Sequence, residues 1–537
     1  MLRHVDADSA TVWVETSGPC EVSVLTGRRR TFQVGDRHYA LVLVEGLEPG
    51  TATPYEVRLD GERVWPAADD PMPPPRIRTL APGRPVRVAF GSCRYSTPLS
   101  VSDEGTDALD TYAELLAAAP DGDWPDGLLL LGDQVYADDT SPRTQEAIRQ
   151  RRDVTEPPYL EVANFAEYAE LYGESWSDPQ VRWLYSTVPT AMIFDDHDVR
   201  DDWNTSGIWR RRMQATDWWQ ERITGALTAY WVYQHLGNLS PAALVEDELF
   251  RTVCEADGDV GKMLHDFAAA ADREADGEKG YRWSYRRDFG PVRLVVIDSR
   301  CGRLLDDRER AMVGGSEARW IEAQVSDVDG GHLLVATSLP WLLPRSLHDM
   351  ESWNEALCAG SRGPRLARWA EKMREGADLE HWAAFRASFD WLAGVLEGVA
   401  RGPAAPDTVC VLSGDVHHQY VAEAHWPSTL DSRVYQIVAS PVHHSVPVTQ
   451  RTMFRIGWSR QLERLTKALG RWDDVPPLPL TWDKIAGPFF GNALATLVLD
   501  DRSAEFLLQR AVPAGEADAG HSGAMETVTR FPLVSNV

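Results

Sequence analysis

The sequence predicts an α/β sheet domain preceded by a small all-β sandwich, and three observations carry that reading. Apolar strand-like runs alternate with helical stretches from Val86 onward. Up to about Arg78, short runs alternate apolar and polar side chains between closely spaced turn residues. Three carboxylate-rich strings each follow an apolar run: Gly132-Asp133-Gln134-Val135-Tyr136, Asp195-Asp196-His197-Asp198 and Gly414-Asp415-Val416-His417-His418. Each string therefore stands at the carboxyl end of a strand, where open α/β sheets place their ligands.

At 537 residues the chain is long enough for a large core and a second, smaller domain. With 43% hydrophobic and 25% charged residues, it has ordinary globular composition. The net charge of -27, from 81 acidic against 54 basic residues, repels polyanions and excludes a nucleic-acid scaffold role. Arginine supplies most of the basic charge; compositional bias explains that excess more simply than phosphate binding does. The 6 cysteines lack CxxC spacing, so neither a disulfide framework nor a zinc ribbon is indicated. Met1-Leu2-Arg3-His4 leads straight into a strand pattern without an apolar targeting segment, and no apolar run has the length of a membrane span. The expectation is a cytoplasmic protein with no membrane span.

In chain order, Thr11–Glu15, Glu21–Leu25, Tyr39–Val44 and Tyr55–Leu59 read as antiparallel strands of a fibronectin III-like sandwich over residues 1–80. Pro71, Pro73, Pro74 and Pro75 mark a linker. A catalytic α/β domain is expected over 84–510. It begins with a strand at Val86–Phe90 and a helix at Ala108–Ala118. Helical patterns follow from Phe165 to Leu184 and, as one long helix with an aromatic stripe, from Trp209 to Leu236. Strands at Val292–Ile297, Leu333–Ala336, Val434–Val438 and Leu494–Leu499 complete the alternation. Segments 240–280 and 345–405 read as helical insertions that wall or cover a site. The stretch 511–537 begins with small polar residues and is expected to be a mobile tail.

The strings carry the chemistry. Gly132 lets the chain turn so that Asp133 faces the cleft, and a carboxylate with two oxygens can bridge two metal ions, as phosphoester hydrolysis requires. Three carboxylates in Asp195–Asp198 repel one another unless a cation offsets them; Asp196 is the expected ligand, and His197 the group that donates a proton to the leaving oxygen. In an extended segment Asp415 and His417 share a side and reach adjacent metal positions, while His418 points away. Arg94, Arg200, Asn204, Arg300 and Arg303 are candidates to hold phosphate oxygens. His443 and His444 are candidates to line the pocket.

In their order, these strings resemble the motifs of the alkaline phosphatase D-like (PhoD-like) family of the calcineurin-like metallophosphoesterase superfamily. The resemblance also takes in Phe90-Gly91-Ser92-Cys93, Ile297-Asp298-Ser299-Arg300 and Ser338-Leu339-Pro340-Trp341. It implies a metallophosphoesterase-type two-sheet sandwich flanked by helices, with a metal cluster at the sheet rim. It further implies Cys93 and Tyr136 as thiolate and phenolate ligands that, with Asp133 and His417, suit trivalent iron. Asp133, Asp196 and Asp415 would hold calcium, with manganese, magnesium or zinc as alternatives.

Two departures stand out. Thr337-Ser338-Leu339 lacks the histidine that the wider superfamily places there, and Asp198 stands where the family commonly has glutamate. The function expected is hydrolysis of a phosphoester, of phosphodiesterase or alkaline phosphatase type, by a hydroxide activated between two metals. The alternatives are a catalytically weak binding module and a hydrolase of pyrophosphate-type bonds.

Overall fold

Eight short strands before residue 66 pair into two four-stranded antiparallel sheets. One contains Leu2–Val5, Ser9–Thr16, Arg37–Glu45 and Phe32–Val34; the other contains Gly27–Arg30, Glu21–Val24, Val57–Leu59 and Glu62–Trp65. Their alternation buries Val12, Val22, Val24, Val42 and Val44 in one apolar cluster, which is the sandwich expected. The computed structural model describes residues 1–95, 104–119, 124–277, 280–328, 330–472, 475–514 and 523–534.

Two larger sheets follow. The first orders Thr190–Ile193, Gly127–Leu131, Val86–Gly91, Ala493–Asp500, Ser503–Val512 and Ala524–Val534; its first three strands are parallel. The second orders Tyr285–Phe289, Val292–Ile297, His332–Thr337, Thr408–Ser413, Arg433–Val438, Gln419–His425 and Thr481–Phe489, with four parallel strands at its centre. Every residue of Gly127–Leu131, Thr190–Ile193, His332–Thr337 and Thr408–Ser413 is buried, as parallel strands covered on both faces must be. The helix expected at Ala108–Ala118 spans those residues, with Asp107 accepting from Leu109 N as its cap.

Three local expectations are corrected. The tail expected to be mobile instead contributes a strand, Ala524–Val534, antiparallel to Ser503–Val512, and buries Leu533 in the main core; residues 515–522 and 535–537 lie outside the described residues. The stretch Phe165–Leu184 splits into Phe165–Trp176 and Pro179–Thr187, because Asp178 caps the second helix and Pro179 occupies its first turn. The long helix from Trp209 is broken: Gly207–Gln214 ends before Trp219–Ala229, which passes into a π-helical turn at Tyr230–His235. Its aromatic stripe is core: Tyr230 stacks between Phe194 at 3.9 Å and Trp283 at 4.4 Å.

Both insertions are packed rather than loose. Gly261–Asp272 buries Leu264, Ala268 and Ala271 in the main core. The second insertion contains Arg345–Cys358, Pro364–Gly376 and Arg386–Val399 and anchors Trp382 in the core beneath the seven-stranded sheet. No helix among the described residues is long and apolar enough to cross a membrane.

The sandwich is joined to the main body through the π-helical turn. Arg3, fully buried, donates from Nη1 to Tyr233 O at 3.1 Å and from Nη2 to Gln234 O at 2.5 Å and Asn238 Oδ1 at 3.1 Å. Trp13 Nε1 donates to Val232 O at 2.9 Å, and a Cβ on Gly237 would overlap the Arg3 side chain. Arg3→Met removes the charged donor from the buried carbonyls of Tyr233 and Gln234. It is expected to cost about 2–4 kcal/mol, read as a lower urea midpoint at unchanged m.

Candidate metal centre

The carboxyl ends of the parallel strands of the two large sheets meet in one place. Cys93 N donates to Gly132 O at 3.1 Å, Arg94 N to Asp133 O at 3.0 Å, Gly414 N to Ser338 O at 2.8 Å and Asp415 N to Ser92 Oγ at 3.1 Å. Glycine is required at two of these contacts. Gly132 has φ +101° and a Cβ there would lie 2.5 Å from Asp195 Cβ; a Cβ on Gly414 would overlap Ser92 Oγ.

Cys93, Asp133, Asp415 and His417 are all left-handed, with φ of 57°, 50°, 64° and 48°. Such residues cost on the order of 1 kcal/mol or more each, and strain of this kind collects at functional sites. For the last string this corrects the extended geometry expected. Val416 N donates to Gly414 O at 2.9 Å and His417 N to Asp415 O at 2.7 Å, so the segment makes successive tight turns. His418 is turned away as expected, buried against Phe454 with Nδ1 on Val416 O at 2.7 Å.

One oxygen from each of Asp133, Asp195, Asp196 and Asp415 lies within 4.8 Å of the others. Asp195 thus joins the cluster, although the sequence singles out Asp196. Burial, then the Asp195 charge, holds the Asp133 carboxyl well above its ordinary range. Burial likewise pushes Asp196 up to about 6, against the pull of Arg300. Asp133 Oδ1, Asp195 Oδ2 and the Tyr136 hydroxyl are buried without a hydrogen-bond partner. Asp196 Oδ1 also lacks one, although Arg300 Nη2 is 3.0 Å away, off the bonding direction.

Cys93 Sγ lies 3.2 Å from Asp133 Oδ2 and from Ser440 Oγ. Burial, with Asp133 and Asp415 adding repulsion, keeps its thiol pKa well above the ordinary value. Burial lowers His417 to about 3, so its imidazole is neutral, the form that binds metals. Orphaned oxygens and crowded acids, with a thiol 3.2 Å from Asp133 and an unpartnered phenol, fit metal cations, which would also reverse the upward shifts of the acids.

His197 Nδ1 is 3.1 Å from both oxygens of Asp138. Burial opposes charge on this imidazole, but Asp138 outweighs it and holds the pKa well above the ordinary value. The Tyr136 ring packs 4.7 Å from His197 and 5.4 Å from His444, and His444 stacks on His417 at 4.6 Å. His444 therefore borders the site. His443 is buried, with its ring nitrogens 2.6 Å from Tyr95 O and 3.1 Å from Gly105 O.

The residues expected to hold phosphate are engaged by the protein itself, which corrects that expectation. Arg94 Nε is bound to Asp107 Oδ2 at 2.8 Å, and Arg200 Nη1 to Glu161 Oε2 at 2.5 Å. Arg300 is fully buried, pairing with Asp195 and, at 2.6 Å, with Glu380 Oε2. Asn204 Nδ2 donates to Arg300 O at 3.2 Å, and Arg303 reaches Glu380 Oε2 at 3.2 Å. Sequence reasoning missed Asp138, Glu380, His381 and Glu351. Asp138 stands two residues beyond Tyr136 in the same string, a signal that was there to read; the other three lie in or after an insertion helix with no motif around them.

A two-sheet α/β sandwich with an acidic cluster at its strand ends is an arrangement able to hold metal ions. A family model described as PhoD-like phosphatase matches residues 108–471, and another described as a domain of unknown function, DUF7800, matches residues 1–77. The chain belongs to the PhoD-like phosphatase family. A solved structure described as "Structure of PhoD" aligns with TM-score 0.55 at 13% identity, over 100% of this chain and 91% of that one, which shows the shared fold. No curated protein matches the sequence.

Asp198 ties the loops of the carboxylate cluster together. Its Oδ2 accepts from Asp133 N at 3.0 Å and Asp195 N at 2.9 Å, and its Oδ1 from Gln134 N at 3.1 Å and Val135 N at 3.3 Å. Asp198→Asn turns an amide NH2 toward two of these donors. It is expected to cost about 2–3 kcal/mol and to lower the metal content measured by elemental analysis, with the far-UV spectrum retained.

Proposed function

We propose that this protein is a metal-dependent phosphodiesterase in which His197 protonates the departing oxygen. The observation that carries the reading is the pairing of an orphaned carboxylate cluster with an imidazole bound through Nδ1 to Asp138. Cys93, Asp133, Tyr136 and His417 would hold a trivalent iron, and Asp133, Asp196 and Asp415 a calcium ion or another divalent ion, because thiolate and phenolate donors suit the former and oxygen donors the latter. Bound there, the ions supply Lewis acidity and make water a nucleophile at neutral pH.

The protein's own part is proton transfer and positioning. Asp138 fixes His197 through Nδ1, and Nε2, 3.9 Å from Asp201 Oδ1, is the nitrogen that would serve the leaving oxygen. Asp138 at Nδ1 favours the protonated ring, which then has a proton to give when the bond to phosphorus breaks. The arginines around the site are already neutralised by Asp107, Glu161, Asp195 and Glu380. A monoanionic diester asks less positive charge of such a site than a dianionic monoester does, and this favours the diester.

With metals restored, bis(p-nitrophenyl) phosphate is expected to turn over faster than p-nitrophenyl phosphate, and chelation is expected to abolish both activities. Faster monoester turnover would reverse the substrate assignment. Asp133→Asn is expected to lose turnover and metal together. His197→Ala is expected to keep its metal while kcat for an alkyl diester falls about 10²–10⁴-fold, with a smaller loss for p-nitrophenolate, which leaves without a proton. Equal losses on both leaving groups would remove His197 from the role of acid.

A further inference from the structure

The strand end at Thr337-Ser338 carries no histidine, yet an imidazole reaches the cluster from elsewhere. His381 Nε2 lies 2.9 Å from Asp415 Oδ2, and its Nδ1 lies 2.7 Å from Glu351 Oε1. Both His381 and Glu351 are buried. Glu351 sits on the helix Arg345–Cys358, and His381 directly precedes the turn Trp382–Ala384, so both belong to the second insertion.

The insertion is seated on the empty strand end. Trp382 is fully buried, and its Nε1 donates to Thr337 Oγ1 at 3.4 Å. Immediately before His381, Glu380 Oε2 binds Arg300, which itself pairs with Asp195 and lies 3.0 Å from Asp196. Three consecutive residues of the insertion thus contact the strand end, Asp415 of the cluster and the arginine that pairs with Asp195.

We infer that His381 is a positioning residue of the metal centre, holding one oxygen of Asp415 so that the other faces the metal, with Glu351 fixing the imidazole. An imidazole with one nitrogen on a buried carboxylate and the other on a ligand's oxygen has its orientation determined at both ends. Direct ligation is disfavoured by the geometry. Both ring nitrogens of His381 are already taken up by carboxylates, Nδ1 by Glu351 at 2.7 Å and Nε2 by Asp415 at 2.9 Å. The bond to Asp415 also restrains a carboxylate on a left-handed residue, φ 64°, which the backbone alone holds poorly. The insertion is thereby part of the site and not merely its wall. The inference rests on the metal-dependent reading above.

The test is a titration of the metal-depleted full chain with Mn(II), read by the electron paramagnetic resonance of the free ion, on wild type, His381→Ala, His381→Gln and Glu351→Gln. His381→Ala is expected to weaken Mn(II) binding about 10–100-fold. His381→Gln, whose amide NH2 can still donate to Asp415, is expected to recover most of the affinity, and Glu351→Gln to fall between. Wild-type affinity in His381→Ala overturns the inference. Equal losses in the alanine and glutamine variants also overturn it, since they mean that an imidazole nitrogen binds the ion directly. If His381→Ala fails to fold, the glutamine variants decide: wild-type-like binding in His381→Gln with weaker binding in Glu351→Gln supports the inference, and loss in His381→Gln overturns it. A wild type that binds no Mn(II) or any other divalent ion defeats the metal-dependent reading itself, a result distinct from either.

Discussion

The site depends on one fully buried carboxylate that stands outside the acidic cluster. Asp198 gathers the backbone N–H groups of Asp133, Gln134, Val135 and Asp195, and so fixes the loops after two neighbouring parallel strands relative to each other. Its burial pushes the carboxyl up to about 7 against the pull of those four donors, so the bonds are made at a desolvation cost. The short aspartate suffices because Gly132 lets the loops approach closely. With these loops fixed, Asp133 and Asp196 have few directions left to face but the common cleft.

What Asp198 arranges is electrostatically unfavourable. Asp133, Asp195, Asp196 and Asp415 crowd together, with Arg300 supplying buried positive charge beside Asp195 and Asp196. Four of the proposed ligands also occupy left-handed backbone. Repulsion and strain of this kind are tolerated when the surrounding fold over-determines them and a bound cation offsets the charge. The rest of the molecule supplies that rigidity: the strands beneath the loops are buried on both faces, and the second insertion braces the cluster through Glu380 and His381. Metal binding to a site assembled in this way would be coupled to local order.

Much of this was readable before the fold was known. Strands covered on both faces appear as unbroken apolar runs, so Leu128 to Leu131 and Val409 to Leu412 announced themselves, and with them Asp133 and Asp415 at their ends. The last strand was hidden because the small polar residues at 511–524 mask the alternation that ends in Phe531 and Leu533. The break before Trp219 was hidden because aromatic side chains continue on both sides of it.

Taken alone, the sequence determined where Asp133, Asp195 and Asp415 would stand, because each lies two positions past a buried strand and has its place set by its immediate neighbours. It could not determine what each charge would meet. Arg94, Arg200 and Arg300 are equally suited to a phosphate or a carboxylate, and they became internal partners because Asp107, Glu161 and Asp195 lie within hydrogen-bond reach in three dimensions. His197 finds Asp138 across 59 positions and His381 finds Asp415 across 34. Electrostatic and hydrogen-bond energies depend on distance and desolvation through space, so only the tertiary structure decided these pairings.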